Sequence, residues 1–315
     1  MSGERDDRYE PTVDVYYRAE MVALDAPGNV SKSPTKPRRF VEWLEGSPMA
    51  GAIQRREDWA PLAEADFLLA HTRPYVEGFF AGREPHASAN GLAWSPAFAD
   101  SVRYTNGSLL AAIRGAIDQP ARIALSPTSG FHHATPARGG GFCTFSGQVI
   151  AGVRLFRERG CRGAWIDLDA HYGNSIPDSL RFAQDLGRAI PFNVNPGGLH
   201  GEYLAELSHG LEAIGAAVQA GEIEYVAVAH GADSHVDDDL GGQVTTAEWL
   251  EASRLVYGAV RRWSAALGRP VPLAMALFGG YRRVGYDGVL RLHAADLAIA
   301  LDTLAGTHLE FDPAV

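Results

Sequence analysis

The stretch GAWIDLDAHYGNS, residues 163–175, decides the fold and indicates the chemistry. It begins with the apolar residues of a buried strand, but Asp167 and Asp169 interrupt the apolar run and His171 follows it. Residues two apart in an extended chain leave the backbone on the same face, so the side chains of Asp169 and His171 can hold one ion. The stretch therefore predicts a core strand that ends in a polar, ion-binding edge.

Four more apolar runs, rich in β-branched or aromatic residues, predict buried strands at 13–19, 122–126, 224–229 and 272–278. Helical periodicity predicts helices between these runs, at 58–82, 97–118, 144–160, 201–220, 246–267 and 288–305. Strands that alternate with helices favour a parallel sheet covered on both faces. We therefore expect one α/β domain over residues 1–315, with three α/β/α layers and a central, mostly parallel sheet.

Composition and charge narrow the class of protein. The net charge of −10 argues against a nucleic-acid partner and weakly favours a cationic ligand. The only cysteines, Cys143 and Cys161, lack CxxC spacing, so we expect any metal ligands to be His and Asp. A polar N-terminus and the lack of an apolar run near the roughly 18 residues of a membrane span predict a cytoplasmic protein without a membrane partner. The oligomeric state stays open, with a homo-oligomer as one alternative.

Polar residues also follow three of the other four predicted strands. They are the tandem pair His132 and His133, the acidic turn at 237–239, and Tyr281 behind two glycines. Ligands in open parallel sheets bind beyond the carboxyl ends of the strands, so these side chains are expected near one another. Zinc accepts carboxylate oxygen and imidazole nitrogen, and catalytic sites use three protein ligands and a water. An Asp of the acidic turn is the expected third ligand.

Each feature also has an ordinary structural explanation. An Asp-x-His pair is often a helix cap or a buried ion pair, an acidic turn is commonly solvated, and tandem histidines often only pack in a loop. The coincidence of all these features at strand ends favours a metal site. Beside a water activated by a metal, two imidazoles can transfer protons and a phenol can donate to a developing oxyanion, which is the chemistry of hydrolysis.

Taken together and in this order, the segments FHHA, GGGFCTF, DLDAHYGN, GADSHVDDDLGG and GGY resemble the histone deacetylase family. That family includes bacterial histone-deacetylase-like amidohydrolases and acetylpolyamine amidohydrolases, and it has the arginase/deacetylase fold. The resemblance covers about residues 15–300. It implies a zinc-dependent amidohydrolase that removes acetyl or other acyl groups from an acyl-lysine peptide, an acetylpolyamine or a small N-acyl amine.

The resemblance also implies the metal sites. Asp169, His171 and Asp238 would bind Zn²⁺, with Fe²⁺ as an alternative. The family pattern places the third ligand two residues before the leucine, which selects Asp238 within the acidic turn. A structural K⁺ would lie beside Asp167 and the backbone carbonyls of Asp169 and His171.

Further roles follow from the same resemblance. Asp167 would orient His132 and Asn174 would orient His133, and Asn at this position resembles the class II and bacterial branch of the family. Tyr281 would be the tyrosine that stabilises the transition state.

At the substrate, Gly141 would offer its carbonyl to the amide N–H, and Phe142 would form one wall of an acyl-lysine tunnel. Trp94 is expected at the rim, because the family's acidic substrate-anchoring residue has no counterpart near it. Tyr172 stands where many relatives have a second histidine.

Two rival hypotheses use the same fold. A ureohydrolase like arginase needs two manganese ions and a further Asp at position 173, where this chain has Gly173. The other rival is a catalytically idle acyl-group binder or partner subunit, and retention of Tyr281 counts against it.

Overall fold

A seven-stranded parallel sheet forms the centre of the protein in a computed structural model that describes residues 7–23 and 29–309. In chain order the strands are β1 (Val13–Tyr16), β2 (Ile53–Arg56), β3 (Ile123–Ser126), β4 (Gly163–Asp167), β5 (Phe192–Val194), β6 (Tyr225–Ala229) and β7 (Leu273–Ala276). Their spatial order is β2-β1-β3-β7-β6-β4-β5, and every neighbouring pair is parallel. The four strands β3, β7, β6 and β4 are wholly buried, which explains their almost uninterrupted apolar sequences.

Helices cover both faces of this sheet. They are α1 (Lys36–Glu45), α2 (Glu64–Phe67), α3 (Arg73–Phe80), α4 (Pro96–Asp118), α5 (Gly147–Arg159), α6 (Ser175–Ser179), α7 (Leu186–Ala189), α8 (Gly201–Gln219), α9 (Thr246–Leu267) and α10 (Asp287–Ala305). One apolar cluster packs α1, α8, α9 and α10 against the sheet, and a second packs α3, α4 and α5 against the other face. The expected three-layer α/β/α class is confirmed.

Local chemistry sets the ends of the long helices. At the start of α9, the Thr245 hydroxyl accepts the Glu248 N–H, and the Glu248 carboxylate accepts the Thr245 N–H. The same helix ends at Gly268, whose φ of 66° is readily adopted only by glycine. Among the described helices, none is long and apolar enough to cross a membrane.

The sequence expectations fail in one helix and miss the two strands β2 and β5 and the three helices α1, α6 and α7. The helix expected at 58–82 is wrong, because the chain forms α2 and then restarts as α3. Thr72 is extended, and Pro74 lies in the first turn of α3, where its missing N–H costs nothing. The missed β2 and β5 lie at the two edges of the sheet, and both are too short or too polar to give an apolar run. Helix α1 was also not anticipated.

Glycine at two loop positions lets the loops after the strands converge at the carboxyl edge of the sheet. A Cβ atom on Gly231 would lie 2.2 Å from Asp233 Oδ1 and 2.8 Å from Asp169 Cα. A Cβ atom on Gly279 would lie 2.2 Å from the Asp233 carboxylate. Both contacts are shorter than real Cβ atoms allow, so the lack of a side chain brings the loops after β6 and β7 against Asp169 and Asp233.

Candidate active site

Three potential metal ligands converge where β4 and β6 end. One ligand atom each from Asp169, His171 and Asp233 lies within 4.8 Å of the others. Asp169 and His171 follow β4, and Asp233 lies in the 3₁₀ turn Ala232–Ser234 after the neighbouring β6. Both carboxylates are buried, and His171 is partly exposed. The donors and their number match those of a metal site with an open position.

Asp238 does not belong to this group, which corrects the sequence expectation. Its carboxylate accepts the backbone N–H groups of Leu240, at 3.0 Å, and of Tyr281, at 2.7 Å. The turn after β6 directs Asp233 inward, whereas the acidic run begins after the chain has turned outward. Asp233 is therefore the third member of the candidate metal group, and Asp238 holds the loop that carries Tyr281.

Hydrogen bonds orient the imidazole of His171 toward the two carboxylates. Its Nε2–H donates to the Leu240 carbonyl at 3.1 Å. Its Nδ1 therefore faces Asp169 Oδ1 at 3.1 Å and Asp233 Oδ2 at 3.0 Å. Such a partner fixes the tautomer that presents Nδ1 to a metal.

The electrostatics of this group also fit a cation. Burial, followed by the charge of Asp169, raises the pKa of Asp233 to about 7. Hydrogen bonds that the His171 imidazolium donates to the carboxylates of Asp169 and Asp233 raise the pKa of His171 to about 10. Two buried carboxylates this close together repel each other, and a cation between them removes that repulsion. The residues therefore fit a divalent ion.

The tandem histidines lie beside the metal group with different partners. His132 Nδ1 donates to Asp167 Oδ2 at 2.9 Å, and His133 Nδ1 donates to Asn174 Oδ1 at 2.9 Å. Burial opposes protonation of His132, but the charges of Asp167 and Asp169 raise its pKa to about 9. Burial and the neighbouring His132 lower the pKa of His133. One imidazole thus holds a proton while the other is free to accept one at Nε2.

Asn174 is itself held in place. Its Nδ2 donates to Asp178 Oδ2 at 2.7 Å, which leaves Oδ1 facing His133. Gly173 beside it has no room for a side chain, because a Cβ atom would lie 2.4 Å from Asp167 Oδ2. The further Asp that a two-manganese site needs at position 173 does not fit this structure.

Tyr281 and Phe142 lie together at the entrance to the site. Their ring centroids are 5.5 Å apart, and the Tyr281 ring is 6.1 Å from that of His171. Burial, followed by the charge of Asp169, raises the pKa of Tyr281 well above its ordinary value, so the phenol keeps its proton for donation. Gly141 has a φ of 49°, and a Cβ there would lie 2.5 Å from the His133 ring. A residue with a side chain at 141 would displace that imidazole.

Trp94 is held elsewhere. Its indole N–H donates to the Phe79 carbonyl at 2.8 Å, and its ring fills the space beside Gly82. The structure therefore brings Gly141 and Phe142 to the site and packs Trp94 at the end of α3.

Lys36 is a buried cation that sequence reasoning missed. Its Nζ donates to the carbonyls of Phe278 and Gly279, and the Gly279 N–H donates to Asp169 Oδ2 at 2.9 Å. Burial lowers the pKa of Lys36 to about 8, against the opposing effect of Asp233. Its place four residues before Phe40, on the buried face of α1, was a signal available in the sequence.

Comparisons with known proteins find similarity to histone deacetylases. A family model described as the histone deacetylase domain matches residues 31–186. Histone deacetylase 8 of Danio rerio is 26% identical over 133 residues, which are 42% of this chain and 30% of that protein. Histone deacetylase 8 of Arabidopsis thaliana is 26% identical over 208 residues, 59% of this chain and 54% of that protein. The chain thus matches about half or less of these relatives.

The fold has a solved counterpart. The crystal structure of the HDA15 HD domain has a TM-score of 0.70 at 15% identity and covers 96% of this chain and 90% of that one. At this identity the likeness concerns the course of the chain and not the reaction.

Proposed function

Since the chain belongs to the histone deacetylase family, we propose that it is a metal-dependent amidohydrolase that removes an acyl group from an amine. One observation carries the proposal. A group of two buried carboxylates and the partly exposed His171 lies beside two imidazoles of opposite protonation tendency, with His132 Nε2 3.7 Å from Asp169 Oδ1.

Asp169, His171 and Asp233 would hold the metal. A divalent ion there supplies Lewis acidity and makes water nucleophilic near neutral pH. Zn²⁺ suits the mixed oxygen and nitrogen donors, and Fe²⁺ is the alternative. A structural K⁺ beside Asp167 stays a prediction.

The side chains divide the proton transfers between them. His133, whose Nδ1–H is held by Asn174, accepts at Nε2 the proton of the attacking water. The Tyr281 hydroxyl donates a hydrogen bond to the oxyanion that develops from the amide carbonyl. As the carbon–nitrogen bond breaks, an imidazolium of the pair returns a proton to the departing nitrogen. The products are a carboxylic acid and an amine.

The substrate is proposed to enter past Phe142 and Tyr281, with its amide N–H donating to the carbonyl of Gly141. This arrangement suits a linear acyl amine, of which acyl-lysine peptides, small N-acyl amines and acetylpolyamines are the three candidate classes.

Acetate release from these three substrate classes tests the proposal. The purified protein is assayed after metal analysis, after chelation, after re-addition of Zn²⁺, and as the Asp233→Ala variant. We expect one metal ion per chain and a release of acetate that is lost on chelation and in the variant. Binding of one metal without any release would instead favour a catalytically idle acyl binder, and two metals per chain would favour ureohydrolase chemistry.

A further inference from the structure

Glycines bound the loop segment that carries Tyr281. The segment 281–284 lies between Gly280, which has a φ of 139°, and Gly285, which has a φ of 70°. Glycine adopts such conformations readily and leaves the backbone on either side free to turn. Val284, at the end of the segment, is 89% exposed and adds little packing. The position of Tyr281 therefore depends on the contacts that residues 281–283 make.

The acidic turn at 237–239 lies along this segment and accepts two of its backbone N–H groups. Asp238 accepts the Tyr281 N–H at 2.7 Å, and Asp239 accepts the Arg283 N–H at 2.7 Å. Asp239 is exposed and Asp238 is half-buried, so water competes for both carboxylates. A contact that is shielded from water would hold the segment more firmly than these two.

Arg282 supplies a shielded contact of this kind. Its side chain is 10% exposed, and its guanidinium donates to His235 Nδ1 at 2.9 Å and to Asp237 Oδ2 at 3.3 Å. The side chain of His235 is wholly buried, whereas that of Asp237 is 61% exposed. Solvent weakens an exposed ion pair, so the bond to His235 is the stronger of the two.

His235 is a fixed anchor for this bond. Its Nδ1 also accepts the Asp237 N–H at 3.1 Å, so the proton of the neutral ring lies on Nε2, which donates to Thr246 Oγ1 at 2.8 Å in the first turn of α9. Two residues before His235 lies Asp233 of the candidate metal group. Arg282 thus joins the loop that carries Tyr281 to the loop that carries a candidate metal ligand.

Stability of the fold is a poor reason for an arginine at position 282. Arg282 Nε is buried and has no hydrogen-bond partner among the residues that the structure describes. Burial of a guanidinium with an unsatisfied nitrogen costs free energy. If the arginine were replaced, Asp237 would remain in contact with water, and no unpaired charge would be buried. An unbranched apolar side chain at this position should therefore leave the free energy of unfolding near its present value.

We propose that Arg282 is a positioning residue, which holds the segment 281–283 against His235 and so keeps the Tyr281 phenol where the oxyanion develops. This inference rests on the amidohydrolase function proposed above. Arg282 acts through Tyr281 and not on the substrate itself. Misplacement of a reacting group by about 1 Å can lower a rate by about 100-fold, so loss of this contact should lower kcat while substrate and metal still bind.

Arg282→Met tests this role, with Arg283→Met as the matched control. Both remove one positive charge from the same segment, but Arg283 is exposed and holds Asp239 through a backbone N–H that methionine keeps. The substrate is whichever of an acetyl-lysine peptide, acetylputrescine and a small N-acetyl amine the protein hydrolyses fastest. We expect kcat to fall about 10-fold to 100-fold in Arg282→Met, with KM, bound metal and the free energy of unfolding little changed. An unchanged kcat, or an equal fall in both variants, overturns the proposal.

A double-mutant cycle shows whether Arg282 acts through Tyr281. In the Tyr281→Phe background the phenol is already absent, so Arg282→Met should lower kcat by less than about a further twofold. A general loosening of the site would lower kcat by the same factor in both backgrounds. That result would overturn the proposal.

Hydrogen exchange gives a test that does not depend on the reaction. The amides of Tyr281 and Arg283 are bonded to the acidic turn, and peptides that cover residues 279–286 report their protection in the metal-loaded protein. We expect faster exchange in Arg282→Met and no change in Arg283→Met. Unchanged exchange in Arg282→Met overturns the proposal. If the unchanged protein hydrolyses no amide, the proposed function fails, and exchange alone then decides whether Arg282 holds the segment.

Discussion

His71 and His132 are both buried, yet their surroundings favour opposite charges. His71 Nδ1 donates to the Thr135 carbonyl at 2.9 Å, and its Nε2 accepts the Ser146 N–H at 2.9 Å. Burial lowers the pKa of His71 to about 3, so it is neutral. His132 donates to Asp167, and the carboxylates around it overcome burial and raise its pKa to about 9.

The difference teaches that partners, and not burial alone, decide the ionisation of an interior imidazole. The neutral His71 ring donates one hydrogen bond, accepts another and packs among aromatic rings. These contacts stabilise an uncharged imidazole in the core. Around His132 the chain concentrates Asp167, Asp169 and Asp233, which repel one another without a cation. Buried carboxylates that repel one another in this way are typical of functional sites.

Among the variants considered, Asp233→Ala should disrupt the surroundings of His132 most. Mutation of a residue that only supports a metal ligand lowers metal affinity or activity by up to about 100-fold. Because Asp233 is itself a candidate ligand, we expect its removal to lower both metal affinity and activity by more than that. Metal analysis after dialysis and acetate release measure the two effects. Asp238→Ala is the matched control: it should keep the metal and lose only part of the activity, because Asp238 holds the Tyr281 backbone. The reverse result would restore Asp238 as the third ligand.

Tyr281→Phe should have the next largest effect. It removes one donor to the oxyanion, and such deletions lower kcat by about 100-fold to 1000-fold. Metal content and KM should stay near those of the unchanged protein, because the phenyl ring still faces Phe142. An unchanged kcat would exclude the phenol from the reaction.

Much of this region follows from sequence, but the third metal ligand does not. The strand ends and their order along the chain are sufficient to predict that Asp169, His171 and the tandem histidines meet. Four aspartates fall between 233 and 239, and their spacing does not reveal which one the turn directs inward. That choice depends on Gly231 and Gly279, whose missing side chains admit Asp233.

Two other residues, Lys36 and Trp94, could not be placed from the sequence, for different reasons. Lys36 lies 242 residues before its partner Phe278, so only the packing of α1 reveals the contact. Trp94 was expected at the rim because the family's acidic substrate-anchoring residue has no counterpart near it, whereas its indole N–H donates to a carbonyl at the end of α3. Helical spacing can indicate that Lys36 lies on a buried face, but it does not reveal which distant backbone carbonyls the side chain contacts.

Asp167→Asn makes the surroundings of His132 more like those of His71. Without the charge of Asp167, burial should dominate and the pKa of His132 should fall below its present value of about 9. Imidazole ¹⁵N shifts of chelator-treated protein report this change, and kcat should fall about 10-fold to 100-fold. Asn174→Ala, which alters only the partner of His133, is the control. A His132 pKa that does not move would show that Asp169 and Asp233 set it without Asp167.

The smallest effect is expected for His71, in the pH dependence of the free energy of unfolding. The folded-state pKa of His71 is about 3, below the unfolded value of 6.5. Below pH 6.5, His71 binds a proton in the unfolded state but not in the folded state. Its contribution to the free energy of unfolding is therefore fully present above pH 6.5 and is lost as the pH falls toward 3. The slope from this residue is about 1.4 kcal/mol per pH unit.

His71→Gln separates this slope from that of the other titrating groups. Glutamine keeps a donor and an acceptor but cannot be protonated, so the variant should be less stable at pH 7.5 and lose less on going to pH 5. Urea unfolding of both proteins at the two pH values gives the difference between the slopes, in which the contributions of the carboxylates and the other histidines cancel. Parallel slopes would mean that His71 accepts a proton in the folded protein, and the contrast with His132 would then lie in their partners but not in their charge.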